Sequence, residues 1–236
     1  MTKQMQITLK IQRFNPETDK APHYENYQVD MEPADRVLDA LLKVKWFQDG
    51  TLTLRKSCAH GVCGSDAMRI NGKNALACKT LVQDCGKTIT VEPMKSFKVV
   101  KDLVVEMKAF FDKYKSVKPF LINDDTPPEK ERRQSPAELA KFEDSTKCIL
   151  CGACTTSCPS FWANPNYIGP AAIVAAHRFI FDSRDQGADE RLAVMNEADG
   201  VWRCRTIFNC VEACPRGIDV TKAIADVKKA ILRGAP

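Results

Sequence analysis

Histidines and long apolar runs are scarce in this sequence. Only three histidines occur among 236 residues, His23, His60 and His177, whereas a structural zinc site takes four Cys or His ligands, commonly as two separated pairs. The longest apolar stretch, residues 169–176, falls far short of the ~18 to 20 residues that span a bilayer. The scarcity of histidine counts against histidine-containing zinc sites, and the shortness of the apolar runs predicts that any membrane association is peripheral or depends on partners.

Charge of neither sign dominates the chain. It has 35 basic and 30 acidic residues and a formal net charge of +5, a mild excess that fits a solvated surface. There is no basic arm, low-complexity tract or nucleic-acid motif, so we expect no nucleic-acid partner. The glycine fingerprint of a dinucleotide-binding fold is also missing, and we therefore do not expect this chain to bind FAD by itself.

Cysteine, by contrast, is abundant. The eleven cysteines are an odd number, they crowd at spacings of three residues, and no signal peptide is recognisable, so a disulfide framework is disfavoured. The length allows two modest domains, and 44% hydrophobic residues can supply a core for each. We expect a reducing cytoplasm and cysteines that bind metal.

Residues 148–159 follow the ligand spacing of bacterial ferredoxins, C-x2-C-x2-C-x3-C-P. A partial second copy, Cys204-x5-Cys210-x3-Cys214-Pro215, has Ile207 where the complete run would have cysteine. In two-cluster ferredoxins the last cysteine of each run binds the other run's cluster. The spacing therefore predicts one 4Fe-4S cluster and, because one thiolate is missing, one 3Fe-4S cluster. The 4Fe-4S set is Cys148, Cys151, Cys154 and Cys214, and the 3Fe-4S set is Cys158, Cys204 and Cys210.

A third ligand set lies nearer the N-terminus. Cys58-x4-Cys63-x2-Asp66-x11-Cys78 follows the plant-type spacing of 2Fe-2S ferredoxins, with aspartate in third place. A carboxylate binds iron, although it is a harder donor than thiolate, so Asp66 is the expected fourth ligand. Two alternatives stay open: Asp66 is a neighbour that does not touch iron, or Cys85 supplies the missing thiolate.

The N-terminal part of the chain shows mainly strand periodicity. Apolar and polar residues alternate over 5–12, which predicts a strand with one buried face. Further strands are expected at 27–29, 51–54, 67–70 and 88–91, and a helix over 37–45. This pattern resembles the β-grasp of plant-type ferredoxins, with a cluster loop at 57–66. We assign residues 1–100 to this 2Fe-2S domain.

After Pro93 the periodicity becomes helical, which predicts a second domain over residues 101–236. Apolar residues at helical spacing predict three buried helix faces. The first is formed by residues 100, 104, 107, 111 and 114, the second by residues 168, 172, 175 and 179, and the third by residues 220, 224, 227 and 231. Polar and charged residues at about 122–135 predict a surface linker, and Ser135-Pro136-Ala137-Glu138 predicts a capped helix start. The expected fold class is α+β, a β-grasp domain followed by an all-α two-cluster ferredoxin-like domain.

The three ligand sets in this order, with Ile207 at the vacant position, resemble the iron-sulfur subunit of succinate dehydrogenase over nearly the whole chain. The segments that carry the resemblance are Arg55-Lys56-Ser57-Cys58, Gly61-Val62-Cys63-Gly64-Ser65-Asp66, Asn71-Gly72, Leu76-Ala77-Cys78, Lys101-Asp102-Leu103-Val104-Val105, Cys158-Pro159-Ser160-Phe161-Trp162 and Phe181-Asp182-Ser183-Arg184-Asp185.

The resemblance implies a role as an electron carrier within a complex. An FAD-containing flavoprotein subunit would oxidise succinate to fumarate, this chain would pass single electrons through 2Fe-2S, 4Fe-4S and 3Fe-4S clusters, and membrane-anchor subunits that can bear haem would hold a quinone. The chain would sit on the cytoplasmic face of a bacterial inner membrane. It would have no catalytic residue or dicarboxylate site of its own.

Two positions depart from the family pattern. Many members have cysteine where this chain has Asp66, and the second tryptophan of a family Trp-Trp pair, which contacts quinone, is replaced by Ala163 after Trp162. The resemblance leaves Pro159, Ser160 and Ile207 as the expected quinone neighbours. Arg205 is a weaker candidate, because an arginine in that loop can simply balance cluster charge.

Three other functions compete with this interpretation. The equivalent subunit of fumarate reductase would use the same clusters in the reverse direction. A hydro-lyase would use an open iron corner as a Lewis acid, but it needs one accessible cluster and a substrate pocket rather than three tandem sets. A zinc-folded binding module would be colourless and free of iron.

Overall fold

The computed structural model describes residues 4–234, and the chain forms two compact units. The first unit runs to Met107 and also takes in Ile149–Ser157, while the second comprises Lys108–Cys148 and the chain from Cys158 onward. The division into independently folding domains at residue 100 stays a prediction.

The first unit is built on a five-stranded mixed sheet in the order β2-β1-β5-β3-β4. Its elements are β1 (Met5–Arg13), β2 (His23–Met31), α1 (Val37–Phe47), β3 (Ala67–Ile70), β4 (Lys73–Leu76), a 3-10 turn (Val82–Cys85), β5 (Thr88–Glu92), the hairpin β6 (Val99–Lys101) and β7 (Val104–Val105), and the short helix α5 (Ala153–Thr156). Strands β1 and β5 are parallel, and the other pairs of the sheet are antiparallel.

The predicted β-grasp is confirmed, and alternation of apolar residues explains why it forms. Ile7, Leu9 and Ile11 of β1 are buried, and the residues between them are partly exposed. Helix α1 buries an apolar face that includes Leu38 and Leu41 in the same core. At ~25 cal/mol per Å² of apolar surface, this shared core is the main source of stability for the unit.

The strand predicted at 51–54 is wrong. Leu52 is buried, but its neighbours form a turn and an irregular segment. The Thr51 amide and hydroxyl both donate to Asp49 Oδ1, and the Thr53 amide donates to Asp102 Oδ2 at 2.8 Å. Side-chain carboxylates therefore replace a partner strand for this backbone, which a local pattern cannot reveal.

The prediction of a helical face that begins at Val100 is also wrong for the residues before Lys108. Val99–Lys101 and Val104–Val105 pair as a hairpin, and Asp102 adopts a positive φ of 46° in its turn. Branched valines favour such a pleated arrangement. The helix begins only at Lys108.

The second unit is helical, as predicted. Its elements are α2 (Lys108–Ser116), α3 (Pro136–Ala140), α4 (Glu143–Thr146), α6 (Pro159–Ala163), α7 (Pro170–Ile180), α8 (Ala188–Asn196), a 3-10 turn (Val201–Arg203), α9 (Asn209–Glu212) and α10 (Val220–Arg233). The capped start predicted at Ser135 is confirmed, because Ser135 Oγ accepts from the Glu138 amide and Glu138 Oε2 accepts from the Ser135 amide.

Helices α7 and α10 pack together at the centre of this unit. Nearly all of α7 is buried, including Ala172 and Phe179, while Ile168 lies just before the helix. The buried face of α10 includes Val220, Ile224 and Val227. The segment predicted as a linker is largely exposed between α2 and α3.

Candidate iron-sulfur sites

The loop before β3 wraps its backbone amides around two predicted ligands. Cys58 Sγ lies 3.5, 3.4 and 3.3 Å from the amide nitrogens of His60, Val62 and Cys63. Cys63 Sγ accepts at 3.5 Å from the amides of Cys58 and Ser65. These amides lower the pKa of Cys58 to about 6, with His60 the largest contributor. Such N–H···S contacts favour thiolate and are one means by which proteins stabilise and tune clusters.

Asp66 and Cys78 complete the predicted 2Fe-2S set from neighbouring positions. Asp66 is only 3% exposed, and its Oδ2 accepts from the Cys78 amide at 2.6 Å. The second oxygen, Oδ1, is buried without a hydrogen-bond partner among the described residues. A buried carboxylate oxygen left unpaired is costly, and a bound iron would satisfy it. This donor set therefore fits a 2Fe-2S cluster.

The chemistry of Cys78 also suits a metal site. Burial, followed by the neighbouring Asp66 carboxylate, raises the pKa of Cys78 to about 12. A coordinated metal would reverse that preference, because it holds the thiolate directly. The alternative ligand Cys85 ends the 3-10 turn and packs against the core of the first unit. Burial raises its pKa as well. The choice between Asp66 and Cys85 stays a prediction.

The members of the 4Fe-4S set are distributed over both units. Cys151 is buried in the core of the first unit and Cys154 lies in α5, while Cys148 and Cys214 belong to the second unit. Their common role as ligands stays a prediction from spacing.

The three predicted 3Fe-4S ligands line one cavity of the second unit. Cys158, Cys204 and Cys210 share it with all three predicted quinone neighbours, Pro159, Ser160 and Ile207, and with Arg205. The cavity is partly open to solvent. Trp162 and Ala163 follow in α6 and are exposed.

Electrostatics in this cavity indicate that its thiols are close together. Burial raises the pKa of Cys158, and it raises the pKa of Cys210 to about 12 with further contributions from the charges of Cys158 and Cys204. Amides again point at sulfur: the Thr206 amide donates to Cys204 Sγ at 3.4 Å, and those of Ser160 and Phe161 donate to Cys158. Three neighbouring cysteines with amide donors fit a cluster, whose iron would offset the repulsion between their thiolates.

The two cysteine runs repeat the same backbone, 56 residues apart. Leu150 and Thr206 have φ of 54° and 55°, and Gly152 and Phe208 have φ of 79° and 69°. Gly152 immediately precedes the four-residue helix α5, and Phe208 immediately precedes the four-residue helix α9. This equivalence aligns Ile207 with Cys151.

Some residues around the cavity were not predicted. Tyr167, Pro170, Phe208, Asn209, Thr221 and Ile224 also line it. Aligning the two runs could have singled out Phe208, because it stands where the first run has glycine. Pro170 belongs to α7, and Thr221 and Ile224 belong to α10; the approach of these two helices to the cavity is not a local property of the sequence.

Two negative findings apply to the described range 4–234. No three or more His, Cys, Asp or Glu side chains converge on a point that one metal ion could occupy; a cluster does not require this, since its ligands bind different irons. Within the same range, none of the helices combines the length and apolar character needed to cross a bilayer.

Comparison with known proteins gives concordant matches. The family model described as a 2Fe-2S iron-sulfur cluster binding domain matches residues 8–112, and that described as a 4Fe-4S dicluster domain matches residues 140–215. The succinate dehydrogenase iron-sulfur subunit of Coxiella burnetii is 45% identical over 96% of this chain and 97% of its own length. Mitochondrial succinate dehydrogenase [ubiquinone] iron-sulfur subunit 1 of rice, Oryza sativa, is 46% identical over 94% of this chain and 81% of its own length.

A solved structure supports the fold. A chain of the Mycobacterium smegmatis Sdh1 complex in the apo form superposes with a TM-score of 0.85 at 24% identity, covering 97% of this chain and 96% of that one. At this identity the likeness speaks for the fold alone.

Proposed function

Because this chain belongs to the family of succinate dehydrogenase iron-sulfur subunits, we propose that it carries electrons from a flavoprotein partner to quinone at a membrane anchor. The electron-transfer role follows from the family, and the names of the relatives favour the dehydrogenase over the fumarate reductase. The clusters, when bound, each take up and release one electron at a time.

The ligand assignments are part of this proposal. Asp66 joins Cys58, Cys63 and Cys78 on the 2Fe-2S cluster, the four cysteines at 148, 151, 154 and 214 hold the 4Fe-4S cluster, and those at 158, 204 and 210 hold the 3Fe-4S cluster. Support comes from the amides aimed at Cys58, Cys63, Cys158 and Cys204 and from the unpaired Asp66 Oδ1. The amides stabilise negative charge at sulfur and would tune the clusters, and the Asp66 oxygen would bind iron.

The observation that carries the quinone assignment is the cavity that unites all three 3Fe-4S cysteines with Pro159, Ser160 and Ile207. Ile207 and Phe208 line the cavity and are exposed. A quinone head-group beside them would therefore lie near the proposed 3Fe-4S cluster. Arg205 also lines the cavity and would stabilise negative charge there.

The location follows from the partners. Succinate dehydrogenase iron-sulfur subunits are peripheral members of a membrane complex, and we propose that this chain is held by anchor subunits on the cytoplasmic face of a bacterial inner membrane. In this proposal succinate oxidation belongs to the flavoprotein, and this chain only transfers electrons.

The test is iron and sulfide analysis with low-temperature EPR on the assembled complex. We expect three distinct centres with the iron content of one 2Fe, one 4Fe and one 3Fe cluster, and electron flow from succinate to quinone. Zinc in place of iron, or a single type of centre, would contradict the proposal.

A second measurement decides the fourth 2Fe-2S ligand. Asp66→Cys should keep the centre, because thiolate is the usual ligand at that place in the spacing, and Cys85→Ala should be silent. Loss of the 2Fe-2S EPR signal in Cys85→Ala alone would move the fourth ligand from Asp66 to Cys85.

A further inference from the structure

The loop that carries Cys63 touches the segment that carries Cys151 at Gly64. A methyl group added to Gly64 would lie 2.8 Å from Cys151 Cβ, 2.9 Å from the Ile149 carbonyl oxygen and 3.0 Å from Cys151 Cα. Gly64 is buried and has φ of +69°, a conformation that glycine adopts without steric cost. Both space and conformation therefore require glycine here, within the first unit.

This contact lies between proposed ligands of two different clusters. Cys63 directly precedes Gly64, and Cys151 is itself a 4Fe-4S ligand in the proposed function. A route from Cys63 Sγ to Cys151 Sγ runs along the bonds of Cys63 and Gly64, crosses one van der Waals contact, and enters the Cys151 side chain. Electronic coupling decays faster through space than through bonds, so the width of that one gap controls the efficiency of the route.

A second contact anchors the same segment. Asn74 of β4 directs its side-chain amide nitrogen at three oxygens, the Ala153 carbonyl at 3.2 Å and the Thr156 and Ser157 hydroxyls, both at 2.8 Å. A carboxamide has two N–H groups, so it satisfies these acceptors by sharing. Since α5 begins two residues after Cys151 and contains Cys154, Asn74 ties the segment to the sheet.

We propose that Gly64 sets the closest approach of the 2Fe-2S loop to the 4Fe-4S ligand Cys151, and that Asn74 maintains it. Both are positioning residues for electron transfer between these two clusters. The inference rests on the proposed function, because it uses its ligand assignments.

Gly64→Ala in the assembled complex tests the inference, with iron analysis and EPR first establishing that both clusters are present. The added methyl group must push backbone away from Cys151. We expect weaker enhancement of the 2Fe-2S spin relaxation by the reduced 4Fe-4S cluster, measured by microwave power saturation, and a several-fold slower transfer between the centres by freeze-quench EPR. A purely structural glycine would change stability without changing the relaxation.

Gly72→Ala is the matched control. Gly72 also has a positive φ, +84°, in the same unit, but an added methyl group there meets nothing closer than an Arg69 nitrogen at 3.6 Å. Gly72→Ala therefore introduces backbone strain without a close contact. The 2Fe-2S spin relaxation and the transfer rate between the clusters should match those of the unsubstituted protein.

Asn74→Ala adds no atom and serves as the deciding variant if Gly64→Ala does not assemble. It should show the same changes to a smaller extent. Unchanged relaxation and rate in Gly64→Ala, or in Asn74→Ala where Gly64→Ala fails, overturn the inference. If the unsubstituted complex lacked separate 2Fe-2S and 4Fe-4S signals, the proposed function itself would fail before any variant is compared.

Discussion

The two cysteine runs share a backbone but differ in their surroundings. In the first run, Cys151 is 9% exposed, and Gly152 is so enclosed that an added methyl group would lie 3.3 Å from Phe97 and 3.4 Å from Met107. In the second run, the equivalent Ile207 is 48% exposed and Phe208 is 53% exposed. The centre of the complete run is packed within the first unit, whereas the centre of the incomplete run, at Ile207 and Phe208, is exposed.

This difference shows that the fold of a cluster loop and the number of its ligands are separable. The left-handed residues and the short helix recur whether the central position holds Cys151 or Ile207. One side chain, rather than the backbone, therefore sets the number of thiolates in the proposed clusters. An outward-facing loop without a fourth thiolate also leaves apolar side chains free to contact a partner.

Cys210→Ala should have the largest effect on this comparison. Removing one of three thiolates from the second run should abolish the 3Fe-4S EPR signal, whereas the 2Fe-2S signal remains as an internal control. Reduction of quinone by succinate should be lost with it. Retention of a full 3Fe-4S signal would show that the second run does not bind the cluster as proposed.

Ile207→Cys tests whether the two runs are truly equivalent. The new thiolate would stand where Cys151 stands in the first run, so a fourth iron should bind and convert the 3Fe-4S centre to 4Fe-4S, with a lower potential because negative charge is added. Iron analysis with EPR redox titration measures both changes. An unchanged 3Fe-4S signal at full iron content would disprove the alignment of the runs.

Sequence reasoning succeeded where the signal was local. Alternation predicted β1, because one face of a sheet is buried. Cysteine spacing grouped Cys158, Cys204 and Cys210, which line one cavity, while their role as ligands stays a prediction. It failed at Thr53, whose amide is satisfied by a carboxylate 49 residues away. It also gave no sign of the contact between Gly64 and Cys151, because close approach of distant segments depends on tertiary packing.

A smaller effect is expected from changing the backbone strain in each of the two runs. Gly152→Ala should destabilise the first run by about 1–2 kcal/mol, the cost of a left-handed residue with a Cβ, plus any cost of displacing Phe97. Phe208→Gly should relieve that strain in the exposed second run, offset by the greater backbone freedom of glycine when unfolded. Chemical denaturation of the holoprotein would measure both. Destabilisation of equal size in the two variants would argue that surroundings do not distinguish the runs.

The smallest expected effect concerns the point where the runs diverge. After Cys158-Pro159 the chain continues into α6, whereas after Cys214-Pro215 it turns at Gly217, which has φ of +65°. Ser160 and Ala163 are three residues apart on α6 and therefore lie on the same side of the helix. Ser160 lines the cavity, so a large side chain at exposed Ala163 should reach toward the proposed quinone site.

Ala163→Trp should accordingly change the KM for quinone or the sensitivity to quinone-site inhibitors a few-fold. Succinate oxidation with an artificial dye should stay intact, because the flavoprotein and the ligand cysteines are untouched; this split separates altered quinone binding from a general loss of function. Leu139→Trp is the matched control, since Leu139 is an exposed apolar residue on α3 of the same unit and should leave both activities unchanged. Unchanged quinone kinetics in Ala163→Trp, combined with impaired dye reduction, would place residue 163 away from the quinone and leave the exposed second run without its proposed contact.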